Sequence, residues 1–214
     1  MLTGDVGGWV VSIPRKSARH RAGVRIRTGG GGGGCGPGSR RVCGVRVALV
    51  TIAIISDTHL PRGSRALPDA CRARLQTADL ILHAGDLVDV DVLDALAALG
   101  PPVHAVAGNV DEPAVRSRLP EARVVEVGEV RIGMVHDAGP AAGRLQRQRR
   151  RFGDCDAVVF GHSHVPLHEA AVQAGFAFQL FNPGSPTDKR GQPHHTMGIA
   201  RVEGPEIGFV HVRL

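Results

Sequence analysis

The chain has 214 residues, 43% of them hydrophobic, enough apolar material for one globular domain with an appendage. The formal charge of +6 is unevenly placed: positions 1–46 hold nine basic residues against the single acid Asp5, so residues 47–214 carry −2. The basicity therefore belongs to a leader and not to the folded body, and no run reaches the ~18–20 apolar residues of a membrane helix, so no membrane partner is expected.

The leader, 1–46, contains TGGGGGGCGPGS, too rich in glycine to pack a core, and is expected to be disordered. Basic tails of this kind neutralise phosphate backbones in some proteins. Here Trp9 is the only interleaved aromatic residue, and arginine outnumbers lysine 24 to 2 over the chain, which points to a GC-rich coding frame read from too far upstream. Nucleic-acid binding by the leader is accordingly not expected, and it is read as a segment that need not be translated. Since no Met lies between Met1 and Met134, a later start needs a non-standard codon near Val45 or Val47. Arg40-Arg41 before the apolar 47–55 stretch imitates a signal peptide, but a small-residue cleavage site is lacking, and cleavage would remove the first core strand. Cys35, Cys43, Cys71 and Cys155 show no paired spacing in the body, so reduced thiols and a cytoplasmic location are expected.

From Val47 the pattern is regular. The run VALVTIAIIS, 47–56, is apolar and rich in β-branched residues, which reads as a strand buried on both faces. A helical pattern over Arg65 to Gln76, a strand over 80–84, a second helix over Val90 to Leu99 and a strand over 103–107 follow. Strands are then expected at 122–127 and 130–136, a helix from Ala141 to Phe152, and strands at 157–160, 165–171, 177–181, 196–202 and 206–212. Strand–helix alternation in the first half implies parallel βαβ units, and the short adjacent strands of the last third imply a second, packed sheet with helices outside.

Strand ends carry the chemistry, because ligand crevices in open α/β sheets form just beyond the carboxyl ends of strands. The first strand runs into Asp57-Thr58-His59, the second into Gly85-Asp86, and the third into Gly108-Asn109. Later ones run into His136-Asp137 and Gly161-His162-Ser163-His164. Each of these taken singly is ordinary turn chemistry. Together Asp57, His59, Asp86, Asn109, His136, His162 and His164 form an oxygen and nitrogen donor set sufficient for two divalent cations. Thiolate is absent, which argues against structural zinc.

The ordered motifs DTH (57–59), GD (85–86), GN (108–109), His136 and GHSH (161–164) resemble the signature of the calcineurin-like metallophosphoesterase superfamily. GNVD at 108–111 and FNPGS at 181–185 are similar to its small bacterial and archaeal phosphodiesterase branch, and the likeness spans about residues 47–214. It implies an α/β fold, a four-layer αββα sandwich of two mixed β-sheets flanked by helices. It also implies one metal on Asp57, His59 and His164, another on Asn109, His136 and His162, and Asp86 bridging, with Asp86, Asn109 and His136 also counted as catalytic. The implied reaction is hydrolysis of phosphodiesters of a small substrate by a hydroxide bridging two divalent ions. Mn2+ is the expected ion, with Mg2+, Ni2+, Fe2+ and Zn2+ compatible. The alternative is a catalytically silent scaffold, as in a retromer subunit of this fold, and a homo-oligomer stays open. GDLVDVD and GNVDE depart from the GDxxDRG and GNHE of protein serine/threonine phosphatases.

Other residues carry open readings. Asn182, Gly184 and Ser185 either shape the phosphate site or form a structural turn, His83 supports Asp86 or belongs to the core, and Asp111 orients ligands. Arg144, Arg147, Arg149, Arg150 and Arg151 either attract an anion or form a solvated helix face. His194 and His195 are candidates to approach the pocket from the last sheet. Val110 stands where many relatives have a histidine able to protonate a leaving group.

Overall fold

A computed structural model describes residues 49–63, 65–173 and 176–214. The expected leader, 1–46, with Cys35 and Cys43, lies outside the described residues. The first strand, β1 (Val50–Ile55), shows how the layers arise. Strand side chains alternate between faces, and here Ile52 and Ile54 enter one apolar cluster while Ala53 and Ile55 enter another. The strand is thus buried from both sides, as its unbroken apolar run requires.

The chain continues through α1 (Asp69–Thr77), β2 (Leu80–His83), α2 (Val90–Ala97), β3 (Val103–Ala105) and α3 (Pro113–Arg118). It then forms β4 (Ala122–Val127), β5 (Val130–Val135), α4 (Arg144–Arg151), β6 (Ala157–Val159), β7 (Leu167–Gln173), β8 (Phe176–Asn182), β9 (Thr196–Glu203) and β10 (Glu206–Arg213). One sheet has the order β10-β9-β1-β2-β3 and the other β4-β5-β6-β8-β7. β1 pairs parallel to β2, and β2 to β3, whereas β9 runs antiparallel to β1 and β10. In the second sheet β5, β6 and β8 are parallel and the flanking strands β4 and β7 antiparallel. Both sheets are mixed, as expected.

Between the sheets lie Ile52, Ile54, Leu82, Ile132, Val159 and Phe181, all inaccessible to solvent. On the outer face of the first sheet, Ala53, Ile55 and Ile81 pack with Cys71 and Leu75 of α1 and Leu96 of α2. Val158, Phe178 and Leu180 do the same for the second sheet, meeting Phe152 and Leu145 beside α4. The four-layer αββα sandwich follows from these three clusters.

Boundary differences have local causes. α1 starts at Asp69 and not at Arg65, because Pro68 at its N-cap holds φ −55° and ψ 144°, an extended conformation. β7 starts after Pro166, which lacks a ladder donor. α3 was not expected, since its six residues, PAVRSR, are too short to show a helical period. Removing apolar volume between the sheets should be costly and removing it from the exposed face should not. Ile54→Ala is expected to lower stability by about 2–5 kcal/mol, and Val124→Ala, at 42% exposure on β4, by under ~0.5 kcal/mol, both read from urea unfolding midpoints.

Candidate metal centre

The parallel strands β1, β2 and β3 of one sheet and β5 and β6 of the other end at a common edge. The Asp57 N–H donates to Gly85 O at 3.0 Å and the His59 N–H to Asp86 O at 3.0 Å, so the first two loops run side by side. The sheets are joined there by His136 Nδ1, which donates to Ala84 O at 2.7 Å, while within the second sheet the Gly161 N–H donates to His136 O at 2.9 Å and sets the β5 and β6 loops side by side. Turning sharply out of a strand requires left-handed backbone, and Asp57 (φ 57°), His59 (46°), Asp86 (61°), His162 (68°) and His164 (59°) all adopt it. Outside glycine such residues cost about 1–2 kcal/mol each, and such strain concentrates at functional sites.

All seven expected residues come together. Asp57, His59 and His164 present donor atoms within 4.8 Å of one another, as do Asp57, Asp86 and His136. His164 Nε2 lies 3.2 Å from Asp57 Oδ1 and 3.2 Å from His59 Nε2. His136 Nε2 lies 3.2 Å from Asp86 Oδ2 and 3.1 Å from Asn109 Oδ1, and His162 Nδ1 is 2.9 Å from the same amide oxygen. Asp86 Oδ2 also stands 3.7 Å from His59 Nε2, between the two groups. Asp57 belongs to both groups, a central position that the motif pattern alone did not assign to it.

The donor set itself tests whether cations fit. His136 Nδ1 and His164 Nδ1 carry their protons, given to Ala84 O and Asp188 O. In the neutral rings each Nε2 is therefore a bare lone pair. It faces a carboxylate oxygen, and at His136 the Asn109 amide oxygen as well, which are also acceptors. Convergent lone pairs without a hydrogen between them are what a divalent cation binds. The electrostatics show a neutral ring at His59 and, at His136, a proton that competes for the position a cation would take. Burial lowers the pKa of His59 against the opposing pull of Asp86, leaving a neutral imidazole. Burial also opposes the charge on Asp86, but the hydrogen bond from His136, its charge and the Val110 N–H overcome it and hold the carboxyl at about 2. At His136 burial lowers the pKa, and the Asp86 hydrogen bond with the Asp57 charge outweighs it and raises it.

Neighbouring residues hold these groups in place. Ser56 Oγ donates to Asp57 Oδ2 at 2.6 Å, and the His162 N–H donates to both Asp57 oxygens at 3.1 Å. Asp111 accepts the Val88 and Gly108 N–H groups, each at 2.7 Å, so it fixes the GD and GN loops. His83 Nε2 meets Thr58 Oγ1 at 3.1 Å, and burial pushes its pKa down to about 4. A neutral core histidine bracing the DTH loop is the outcome. Two glycines permit the close approach: a Cβ on Gly108 would fall 2.0 Å from Asp86 Oδ1, and one on Gly161 would fall 1.9 Å from Ser56 Oγ.

FNPGSP is a brace and touches no open space at this edge. Asn182 Nδ2 donates to Gly161 O at 2.8 Å, Ser185 Oγ to Asp57 O at 2.8 Å and Thr187 Oγ1 to Thr58 O at 2.6 Å. The arginine run on α4 is in part structural: Arg147 donates to Ala138 O, Pro140 O and Ala142 O, and Arg144 to Gly139 O. Neither His194 nor His195 belongs to the grouped donors or lines the cavity beside His59. Sequence reasoning missed Arg116, whose guanidinium donates to Asn109 O and Asp111 O. No sequence signal marked it, because α3 was itself invisible.

Residues 50–204 match the calcineurin-like phosphoesterase superfamily domain. The chain is 34% identical over 165 residues to a protein named "probable metallophosphoesterase" from Methanothermobacter thermautotrophicus, covering 76% of this chain and 91% of the relative. It is 35% identical over 142 residues to a Methanocaldococcus jannaschii protein of the same description, covering 65% and 69%. Among solved structures it is similar to Entamoeba histolytica Vps29 complexed with zinc, at 27% identity and a TM-score of 0.62, covering 77% of this chain and 92% of that one. The chain belongs to the calcineurin-like phosphoesterase superfamily. At family level that makes it a phosphoesterase-type hydrolase whose buried Asp and His groups suit divalent metal. No helix among the described residues is long and apolar enough to cross a membrane.

Two outcomes follow. Gly161→Ala should lower metal affinity by about 10–100-fold, the range seen when residues supporting ligands are disturbed, measured by titration calorimetry. In chelator-treated protein, Asp86 is depressed from 3.8 to about 2, so its stabilisation is complete above pH 3.8 and disappears as the pH falls towards 2. Asp86→Asn should remove that part of the pH dependence of the melting temperature.

Proposed function

We propose that the protein hydrolyses phosphodiesters with the help of two divalent cations. The observation that supports this best is the facing of His136 Nε2, Asp86 Oδ2 and Asn109 Oδ1 at 3.1–3.2 Å, acceptors with no hydrogen between them while the ring is neutral. In this reading Asp57, His59 and His164 hold one ion and Asn109, His136 and His162 the other, with Asp86 shared. Carboxylate and imidazole donors without thiolate favour Mn2+, with Mg2+, Fe2+, Ni2+ or Zn2+ as substitutes. Cations so bound acidify water and neutralise phosphoryl oxygens.

The chain's own residues set the remaining chemistry. Ser56 and the His162 N–H orient Asp57, and Val110 N–H, 3.1 Å from Asp86 Oδ1, orients Asp86 and helps to keep it ionised. Beside them Val110 lines a cavity with His59 and is 43% exposed. Valine offers no proton to a departing alkoxide, and neither His194 nor His195 lines this cavity. Hydrolysis then depends on the stability of the leaving group itself.

A second reading, a silent scaffold, is favoured by the likeness to Vps29. The two are separated by assaying chelator-treated and Mn2+-reconstituted protein on bis(p-nitrophenyl) phosphate. Activity restored by metal is expected, and protein that binds no metal and cleaves nothing would establish the scaffold. Asp86→Asn should cost at least about a hundredfold in kcat, since charge neutralisation in such sites is worth several kcal/mol. Full turnover by that variant with two ions bound would defeat the assignment. Aryl diesters should be cleaved far faster than alkyl esters, and Val110→His, at a position with open space around it, should flatten that dependence on leaving-group pKa, acid assistance being worth ~10²–10⁴ in rate.

A further inference from the structure

Left-handed backbone outside glycine occurs among the described residues at Asp57, His59, Asp86, Val88, His162, His164 and Arg190. Five of these are the strand-end carboxylates and imidazoles. The other two, Val88 (φ 87°) and Arg190 (φ 47°), both line one cavity of about 400 Å3 that opens beside His59 and is also walled by Arg62, Val110 and Asp188. A β-branched residue at such a φ is a genuine outlier, and strain of this kind persists only where surrounding structure over-determines it. The strain therefore marks the cavity as well as the metal edge.

The charges within it are unbalanced. Asp188 is paired with Arg65 at 3.3 Å, and its backbone is fixed by Ser185 Oγ, which accepts the Asp188 N–H at 2.8 Å, and by His164 Nδ1, which donates to its carbonyl. Arg190, two residues on, is thereby tied to the metal edge, its Nη1 standing 3.5 Å from His162 O. Among the described residues neither Arg62 nor Arg190 is in an ion pair with a carboxylate. Two guanidinium groups without a carboxylate partner beside the centre offer a charge of +2 and planar donor geometry, which matches a terminal phosphate of about −2 at neutral pH. Val88 and Val110 supply apolar wall for the organic part of the same ligand.

We propose that Arg62 and Arg190 form a subsite for a second phosphate group, so that the preferred substrate is a phosphate ester carrying another phosphate on the part that occupies this cavity. The proposal rests on the phosphodiesterase reading for its catalytic arm alone. One test compares the p-nitrophenyl ester of thymidine 5′-phosphate with the same ester bearing an additional 3′-phosphate, which share leaving group and sugar. Mn2+-loaded full chain should favour the second by at least about tenfold in kcat/KM, and Arg62→Gln/Arg190→Gln should lose that preference, the size expected for a charge-assisted contact. The other test needs no metal: in excess chelator, calorimetry should show pyrophosphate binding to the wild-type chain and not to the double variant. Both arginines are exposed, and circular dichroism with melting temperature checks that the variant folds. Hydrolysis without preference, or pyrophosphate binding that survives the double substitution, would overturn the subsite and leave the phosphodiesterase standing. Arginine-dependent pyrophosphate binding in a chain that hydrolyses neither ester would uphold the subsite and overturn the phosphodiesterase.

Discussion

Lone pairs facing lone pairs are the constraint around which this molecule is organised. His136 Nε2 against Asp86 and Asn109, and His164 Nε2 against Asp57, sit at 3.1–3.2 Å with their Nδ1 protons already committed elsewhere. Left to themselves these groups would move apart or take up protons. They hold position because each is rooted at the end of a buried strand and because two sheets, packed through Ile54, Ile132 and Phe181, leave the loops little room to relax. A rigid scaffold carrying a functional edge of loops is the physical consequence.

Bracing accounts for much of the polar burial. Ser185, Thr187 and Asn182, all buried, donate to the backbone of the DTH and GHSH loops and thereby connect the far end of β8 to both. Asp111 joins the GD and GN loops, and Arg116 of α3 holds the Asn109 carbonyl. Such contacts also satisfy the carbonyls and N–H groups that sharp turns leave without ladder partners. The left-handed residues are tolerable for this reason: their conformational cost, about 1–2 kcal/mol apiece, is offset by hydrogen bonds available in no other conformation.

The same sandwich is shared with Vps29 and with archaeal proteins named as probable metallophosphoesterases. What separates scaffolding from hydrolysis on such a sandwich is the edge, not the layers. Here the edge gathers buried imidazoles and carboxylates, with a cavity lined by Arg62 and Arg190 beside them.

All ten strands among the described residues and three of the four helices were legible in the sequence, because periodicity and β-branched runs report burial directly. α3 was not, its six residues being too few for a period, and the starts of α1 and β7 shifted where Pro68 and Pro166 acted locally. That the seven polar side chains emerge at strand ends was legible too, since the ends of apolar runs fix where they leave the sheets. Arg62 and Arg190 were not singled out, while the arginines of α4 were, two of which turned out to hold their own loop. A charge run is visible in one dimension, but a pair of arginines 128 positions apart in the numbering meets only when the 57–62 and 185–190 loops fold over one edge. The sequence by itself determined the layers and the donor types. Only the tertiary structure decided which acceptors face one another without a proton, that Asp57 is as central as Asp86, and which cations stand free beside them, because those depend on distances between loops from both sheets.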